Sequence, residues 1–174
     1  MKIGLIAMAA KPYHAGHDML VRLASQENNI VFVFASTGDR GVVSGAAMAK
    51  IWKKYLMPSM PSNVKVQLVD VPVSCVYRAL EGAERDESDD QFLIYSDDRD
   101  IAKYKVGSLT KAAEGLCRKG HIILRGVSRT TTCDISATRL RHAIAADEPA
   151  KFIDMLPKFA QRDGEEIFRI LKNE

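Results

Sequence analysis

The sequence predicts an α/β protein with a Rossmann-like, doubly wound parallel sheet of about five strands and a helical C-terminal appendage. Short apolar runs alternate with helical patterns, which is the order of β-α-β units. The apolar runs are continuous rather than alternating in polarity, as in strands that are buried on both faces of a parallel sheet. Beyond residue 135 the pattern is helical only. Together these observations favour the doubly wound class.

The predicted strands are short runs rich in Ile, Val, Leu and Phe. They cover residues 2–7, 30–35, 64–69, 91–95 and 121–125. The first predicted helix covers residues 17–26, because Met19, Leu20, Leu23 and Ala24 share one face at helical spacing.

Three further helices are predicted before residue 120, and a helical part follows residue 135. Ser44 can cap a helix over residues 45–56 that Pro58 ends. Two more are predicted over residues 73–80 and 108–118, the latter ending at Gly120, and the acidic residues 84–90 between them are predicted to be an exposed loop. After residue 135, Pro149 and Pro157 divide the helical part.

Length and composition place limits on the class of protein. The 174 residues are 47% hydrophobic and 27% charged, with a net charge of +3, which is typical of one soluble globular domain. We therefore expect a single domain over residues 1–174, with the appendage over about residues 147–174. No apolar stretch reaches the roughly 20 residues of a membrane span, and the absence of a basic run argues against a nucleic-acid partner. Widely spaced Cys75, Cys117 and Cys133 favour reduced thiols and a cytoplasmic location.

The strongest motif is the tetrad His14-Ala15-Gly16-His17 after the first strand. The composition gives about 0.006 expected occurrences of H-x-G-H in a random order. The tetrad lies on a strand-to-helix turn, and in a parallel sheet such turns lie at the carboxyl edge, where ligands bind. A helix start offers free backbone N–H groups and a positive dipole end, so an anionic ligand is predicted.

A second motif, Ser136-x-Thr138-x-x-Arg141, lies at the start of a late helix. Two hydroxyls, backbone N–H groups and a guanidinium suit a triphosphate. Alone, the pattern is loose and favours an ordinary capped helix with surface arginines. Because the motif follows the fifth strand, both motifs are predicted to meet across one sheet edge.

With these two motifs the chain resembles the HIGH-motif nucleotidyltransferases over nearly its whole length. This superfamily includes the nicotinamide mononucleotide and phosphopantetheine adenylyltransferases and the cytidylyltransferases for glycerol 3-phosphate and choline phosphate. Residues 11–18, Lys-Pro-Tyr-His-Ala-Gly-His-Asp, and the run Ser36-Thr37-x-Asp39-Arg40 are similar to those of small bacteriophage-type members. The resemblance implies transfer of AMP or CMP from a nucleoside triphosphate to a phosphorylated small molecule, with Mg²⁺ bound to the phosphates.

The resemblance also implies roles for individual residues. His14, His17 and Arg141 would be catalytic, stabilising charge as pyrophosphate leaves. The nucleotide and its phosphates would be bound by Ala9, Ala10, Lys11, Gly16, Ser136 and Thr138. Arg40 and Asp97 would contact the acceptor. No residue is predicted as a metal ligand, and homo-oligomers are common among relatives.

Several of these residues keep a simpler interpretation from sequence. Lys11 is equally a solvated loop lysine, and Arg40 a turn arginine paired with Asp39. Asp97 remains open, and Trp52 is interpreted as a core residue or a subunit contact. In the family, the run before the histidine tetrad is usually Gly, followed by Ser or Thr, followed by Phe. In this chain the run is Met8-Ala9-Ala10. This departure motivates an alternative function, a catalytically silent nucleotide-binding or regulatory module on the same fold.

Overall fold

The computed structural model of the chain describes residues 1–128 and 135–174. Residues 130–134, for which the sequence predicts a loop, include Cys133 and lie outside the described residues. The strands are β1 (Lys2–Met8), β2 (Ile30–Ser36), β3 (Val64–Val69), β4 (Gln91–Asp97) and β5 (Ile122–Val127).

The described residues form a five-stranded sheet in the order β3-β2-β1-β4-β5, in which every neighbouring pair is parallel. This order confirms the predicted doubly wound α/β class. All five carboxyl ends therefore lie at one edge of the sheet, and each of β1 to β4 crosses over through at least one helix.

The helices of the described residues lie on both faces of this sheet. They are α1 (Ala15–Glu27), α2 (Gly45–Ile51), α3 (Pro72–Arg85), α4 (Val106–Ala112), α5 (Glu114–Arg118), α6 (Ala137–Ala145), α7 (Pro149–Asp154), α8 (Lys158–Gln161) and α9 (Gly164–Asn173). Among the described residues, no helix is long and apolar enough to cross a membrane.

Two apolar clusters cover the two faces. Leu5 and Ile6 are consecutive in β1 and fully buried, yet they belong to different clusters. Helices α3, α4 and α5 contribute to the Leu5 cluster, while α1, α2 and most of the C-terminal helices contribute to the Ile6 cluster. Burial on both faces explains why the strand sequences are continuous apolar runs.

Three predicted helical boundaries differ from the structure. Ser44 caps α2 as predicted, but the helix changes at Trp52 into a π turn, Trp52–Leu56. Helix α3 extends to Arg85, so Glu84 is helical rather than part of an exposed loop, and its carboxylate accepts hydrogen bonds from the Gly115 and Leu116 amides. The helix predicted over residues 108–118 is broken at Ala113, which separates α4 from α5.

The C-terminal helices pack against α2 and α6. The rings of Phe152 and Phe168 meet edge to face at 5.4 Å, and Lys54 pairs with Glu166 at 2.9 Å. Pro149 begins α7 and Pro157 precedes α8, as the sequence indicates.

A polar cluster ties the carboxyl end of α1 to β4 and β5. The Tyr95 hydroxyl donates to Glu27 at 2.6 Å, and Arg125 donates to the same carboxylate at 2.6 Å. The hydrogen bonds from Arg125, and then from Tyr95, lower the pKa of Glu27. Helix α1 is thereby fixed at the end opposite the histidine tetrad.

We expect Glu27→Gln to lower the free energy of unfolding by about 1–2 kcal/mol at pH 7, a modest value because the Arg125–Glu27 pair is partly exposed. A lowered folded-state pKa stabilises the fold above the unfolded pKa, and this stabilisation is lost as pH falls through the folded value. The difference between wild type and variant should therefore shrink below about pH 4. Urea unfolding at pH 7 and pH 3.5 measures this difference in the free energy of unfolding. Glu165→Gln, on α9, is the control. An equal difference at both pH values would contradict the assignment.

Candidate active site

The carboxyl edge of the sheet carries a cavity of about 550 Å³. Its walls come from the ends of β1, β4 and β5 and from the first turns of α1 and α6. All the residues proposed from the sequence line it: Ala9, Ala10, Lys11, His14, Gly16, His17, Arg40, Asp97, Ser136, Thr138 and Arg141. The structure thus brings both motifs together around one cavity, and the roles of these residues remain predictions.

His14 and His17 form a reciprocal cap at the start of α1. The Gly16 amide donates to His14 Nδ1 at 3.0 Å, and the His14 amide donates to His17 Nδ1 at 3.2 Å. The two imidazole rings stack with centroids 3.8 Å apart. An Nδ1 atom that accepts a backbone N–H carries no proton, so each neutral ring has its proton on Nε2. Both histidines are therefore hydrogen-bond donors through Nε2.

The first amides of α1 are engaged within the protein, which corrects the prediction of free N–H groups at this helix start. The Ala15 amide donates to the Met155 carbonyl of the segment after α7 at 3.0 Å, and the Gly16 amide is held by His14. An anion in the cavity meets the histidine rings rather than these two amides.

Lys11 is 1% exposed, so the interpretation as a solvated loop lysine is wrong. Its ammonium donates to the Ala9 carbonyl at 3.2 Å and to the Ser36 carbonyl. Burial lowers the pKa of Lys11, and the charge of Asp39 opposes this shift. Lys11 thus holds together the chain segments that leave β1 and β2.

Arg141 joins the second motif to the first. Its guanidinium donates to the Lys11 carbonyl at 2.7 Å and to the Thr138 hydroxyl at 3.1 Å. Burial, and then the positive charge of Arg40, lower the pKa of Arg141. Asp39 accepts from the Gly45 amide, and no ion pair joins Arg40 or Arg141 to a carboxylate within the part of the chain that the structure describes. Two neighbouring guanidiniums without a carboxylate favour an anionic ligand.

The start of α6 retains unused donors. Ser136 caps the helix by accepting from the Arg139 amide at 3.2 Å. The Ala137 and Thr138 amides have no hydrogen-bond acceptor among the described residues. Both residues line the cavity. This helix, rather than α1, presents a free N-terminus to a ligand.

On the β4 side, Asp97 organises a turn while lining the cavity. Its carboxylate accepts from the Arg99 and Asp100 amides, both at 2.9 Å. Sequence reasoning missed cavity residues in the segments after β3 and β4, among them Pro72, Val73, Lys103 and Tyr104. They follow β3 and β4 without forming a motif, and only their place after a strand could have indicated them. Tyr104 is 6% exposed, and burial raises its pKa to about 12.

Comparison with known proteins adds a family match and structural neighbours. The family model for the citrate lyase ligase C-terminal domain matches residues 3–66, which include the histidine tetrad but not the second motif. No protein of curated function matches the chain in sequence.

Solved structures are similar over almost the whole chain. A putative nicotinate-nucleotide adenylyltransferase from Vibrio parahaemolyticus is 14% identical with a TM-score of 0.59, and the match covers 99% of this chain and 96% of that protein. The chain shares the fold of this protein. This finding confirms the fold that the resemblance implies.

Two larger proteins contain the same fold. A bifunctional NMN adenylyltransferase/ADP ribose pyrophosphatase from Francisella tularensis is 11% identical with a TM-score of 0.59, and 98% of this chain covers 52% of that protein. Thermotoga maritima TmcAL, solved with α-thio ATP, is 15% identical with a TM-score of 0.54, and 98% of this chain covers 55% of it. The chain thus spans about half the length of these two proteins.

Proposed function

We propose that the chain is a nucleotidyltransferase that moves AMP or CMP from a nucleoside triphosphate to a phosphorylated small-molecule acceptor and releases pyrophosphate. The observation that carries this proposal is the hydrogen bond from Arg141 to the Lys11 carbonyl, which ties the second motif to the segment just before the histidine tetrad at one cavity, across 130 residues of sequence. The nucleotidyltransferase fold supports the same reaction type.

In the proposed reaction, a phosphate oxygen of the acceptor attacks the α-phosphorus of the nucleotide. A new oxygen–phosphorus bond forms as the bond to the β-phosphate oxygen breaks, and its electron pair leaves with pyrophosphate. The attacking oxygen is already ionised, so no general base is required. Such a reaction depends on positioning and on stabilisation of the charge that develops on the leaving group.

The Nε2–H groups of His14 and His17 suit that charge. Because each Nδ1 atom is committed to a backbone amide, the rings do not need to change tautomer during the reaction. Donors fixed before the reaction stabilise developing charge without the cost of reorganisation.

The outer phosphates fit the start of α6. The Ala137 and Thr138 amides, the Ser136 hydroxyl and the Arg141 guanidinium line the same side of the cavity. Arg40 adds a second positive charge near Arg141. A triphosphate placed here would relieve the repulsion between the two guanidiniums.

Mg²⁺ is expected to enter with the triphosphate. Within residues 1–128 and 135–174, no group of three or more His, Cys, Asp or Glu side chains could hold a metal ion. Lys11, Arg40 and Arg141 make the phosphate side of the cavity cationic. These residues do not fit a resident metal, so phosphate oxygens and water would supply its ligands.

The acceptor would occupy the β4 side of the cavity. Lys103, which pairs with Asp100 at 2.6 Å, offers positive charge to its phosphate, and Asp97 shapes the turn beside it. Pro72, Val73 and Tyr104 form an apolar and aromatic wall for the remainder of the acceptor.

A thermal-shift experiment tests the proposal. At 100 times its dissociation constant, a nucleotide adds about 2.7 kcal/mol of stability, which is roughly 5–10 °C in Tm for a chain of this size. We expect such a shift with Mg²⁺ and ATP or CTP, and release of pyrophosphate when a phosphorylated acceptor is added. GTP and UTP, which carry the same triphosphate on a different base, serve as the control ligands. The absence of a shift with every nucleotide would contradict the assignment.

The second candidate is a catalytically silent nucleotide-binding module. The replacement of the family's hydroxyl and aromatic residues by Met8-Ala9-Ala10 favours it. A nucleotide-dependent shift in Tm, without release of pyrophosphate from the nucleotide when any phosphomonoester is offered as acceptor, would support this candidate over the enzyme.

A further inference from the structure

A row of four aromatic rings leads from the core to the cavity. Trp52 meets Tyr13 edge to face at 4.8 Å, and Tyr13 stacks on His17 at 5.5 Å with an angle of 22° between the rings. His17 in turn stacks on His14. Tyr13 and Trp52 are each 1% exposed and do not line the cavity, so neither is available to touch a ligand there.

Tyr13 is fixed by more than ring contacts. Its hydroxyl donates to Asp18 Oδ1 at 3.0 Å, and Asp18 Oδ2 accepts from Arg22 Nε at 2.7 Å. Burial raises the pKa of Tyr13, so its hydroxyl remains a donor. Asp18 and Arg22 lie on α1, the helix that His14 and His17 cap. The ring of Tyr13 therefore has a defined position relative to the two histidines.

Trp52 occupies its place at a cost in stability. Its indole N–H is buried and has no hydrogen-bond acceptor among the described residues. A phenylalanine would fill the core without burying an unpaired donor. The indole also begins the π turn, a helix irregularity that is frequent at functional sites. Both features indicate that Trp52 does more than occupy volume.

His17 is the more exposed of the two histidines. It is partly exposed, whereas His14 is 4% exposed. Its Nδ1 contact with the His14 amide is 3.2 Å long, at the limit of the usual range. Rotation of the His17 ring by 180° would break the hydrogen bond from the His14 amide and would change the direction in which Nε2 points. A stacked neighbour restricts that rotation.

We propose that Tyr13, braced by Trp52 and Asp18, is a positioning residue that holds the His17 imidazole with its Nε2–H directed to the reacting phosphates. The inference rests on the proposed function for its catalytic meaning. The geometric part, that Tyr13 fixes the ring and tautomer of His17, is independent of any activity.

The test combines NMR with kinetics. Protein labelled with ¹⁵N-histidine reports the tautomer of each of the four histidines through long-range ¹H–¹⁵N correlations. In Tyr13→Leu, the His17 signals should move towards those of a tautomer mixture, while those of His121 and His142 stay in place. The kcat of pyrophosphate release should fall between about 10- and 100-fold with an unchanged KM for the nucleotide. Tyr13→Phe keeps the ring and should restore the His17 signals.

Tyr95→Leu is the matched control, because Tyr95 is a buried tyrosine that hydrogen-bonds a carboxylate on the same helix, α1, and the change likewise removes its ring. It should lower stability without moving the His17 signals. Where Tyr13→Leu does not fold, Trp52→Leu removes the brace instead and should shift the same signals. Unchanged His17 signals in a folded Tyr13→Leu protein, or failure of Tyr13→Phe to restore them, would overturn the proposal. A wild-type protein that releases no pyrophosphate would instead refute the proposed function, and the NMR comparison would still decide the role of Tyr13.

Discussion

His17→Ala is expected to lower the kcat of pyrophosphate release by about 10²–10³-fold, the usual cost of removing one donor to developing charge. The KM for the nucleotide should change little, because Arg141 and the start of α6 remain. The variant also loses the acceptor for the His14 amide, which costs about 1 kcal/mol of stability. Circular dichroism would establish that the protein folds, and single-turnover kinetics would separate the chemical step from binding.

His142→Ala provides the control for this variant. His142 is an exposed histidine on α6 that does not line the cavity. Its removal should leave kcat unchanged. If a folded His17→Ala protein retains wild-type turnover, the histidine pair has no catalytic role and the proposed mechanism is wrong.

Arg141→Met is expected to weaken nucleotide binding by between about 10- and 100-fold, since a hydrogen bond to a charged group contributes about 1.5–3 kcal/mol. The free energy of unfolding of the ligand-free protein should fall by less than the binding free energy, because the substitution also removes the repulsion between Arg141 and Arg40. The nucleotide-dependent rise in Tm, measured at a fixed ligand concentration, should largely disappear.

Arg139→Met is the matched control on the same helix. Arg139 lies along a separate groove between α6 and α7 and does not line the cavity. A loss of nucleotide binding equal to that of Arg141→Met would mean that overall positive charge, rather than the placement of Arg141, governs affinity.

The sheet could be predicted closely because burial on both faces leaves a direct mark on the sequence. β3 begins and ends where the apolar run does, and β1 extends only one residue beyond its predicted end. The convergence of the two motifs could also be predicted, because parallel strands send all their carboxyl ends to one edge. Topology therefore brought His17 and Arg141 to one cavity from opposite ends of the chain.

Features that depend on contacts between distant segments could not be predicted in this way. The Ala15 amide is occupied by Met155, which lies 140 residues further along the chain. Glu84 belongs to an acidic, polar run typical of a loop, yet its carboxylate accepts two amides at the start of α5. Lys11 is buried only because Ala9 and Ser36 offer it carbonyl groups. Local sequence carries no information about such partners.

Two other features were not predicted from the sequence, for a different reason. They are the break between α4 and α5 at Ala113 and the apolar side of the cavity formed by Pro72, Val73 and Tyr104. Ala113 has φ −153° and ψ 69°, although alanine is a strong helix former and the nearest glycine, Gly115, lies within α5 rather than at the break. Pro72 and Tyr104 reach the cavity from the turns after β3 and β4. Such turns vary freely in sequence while the strands keep their places.

The hydrogen bond from the Ala15 amide to the Met155 carbonyl makes the C-terminal helices part of the support of the histidine tetrad. If the chain kept the sheet and both motifs but ended before α7, the Ala15 amide of the histidine tetrad would lose its hydrogen-bond acceptor, the Met155 carbonyl. Grafting another relative's C-terminal helices onto this chain would move the carbonyl that fixes the tetrad, and with it the two rings. The last part of the chain therefore sets the geometry of the first motif, so the two would have to change together in evolution or in engineering.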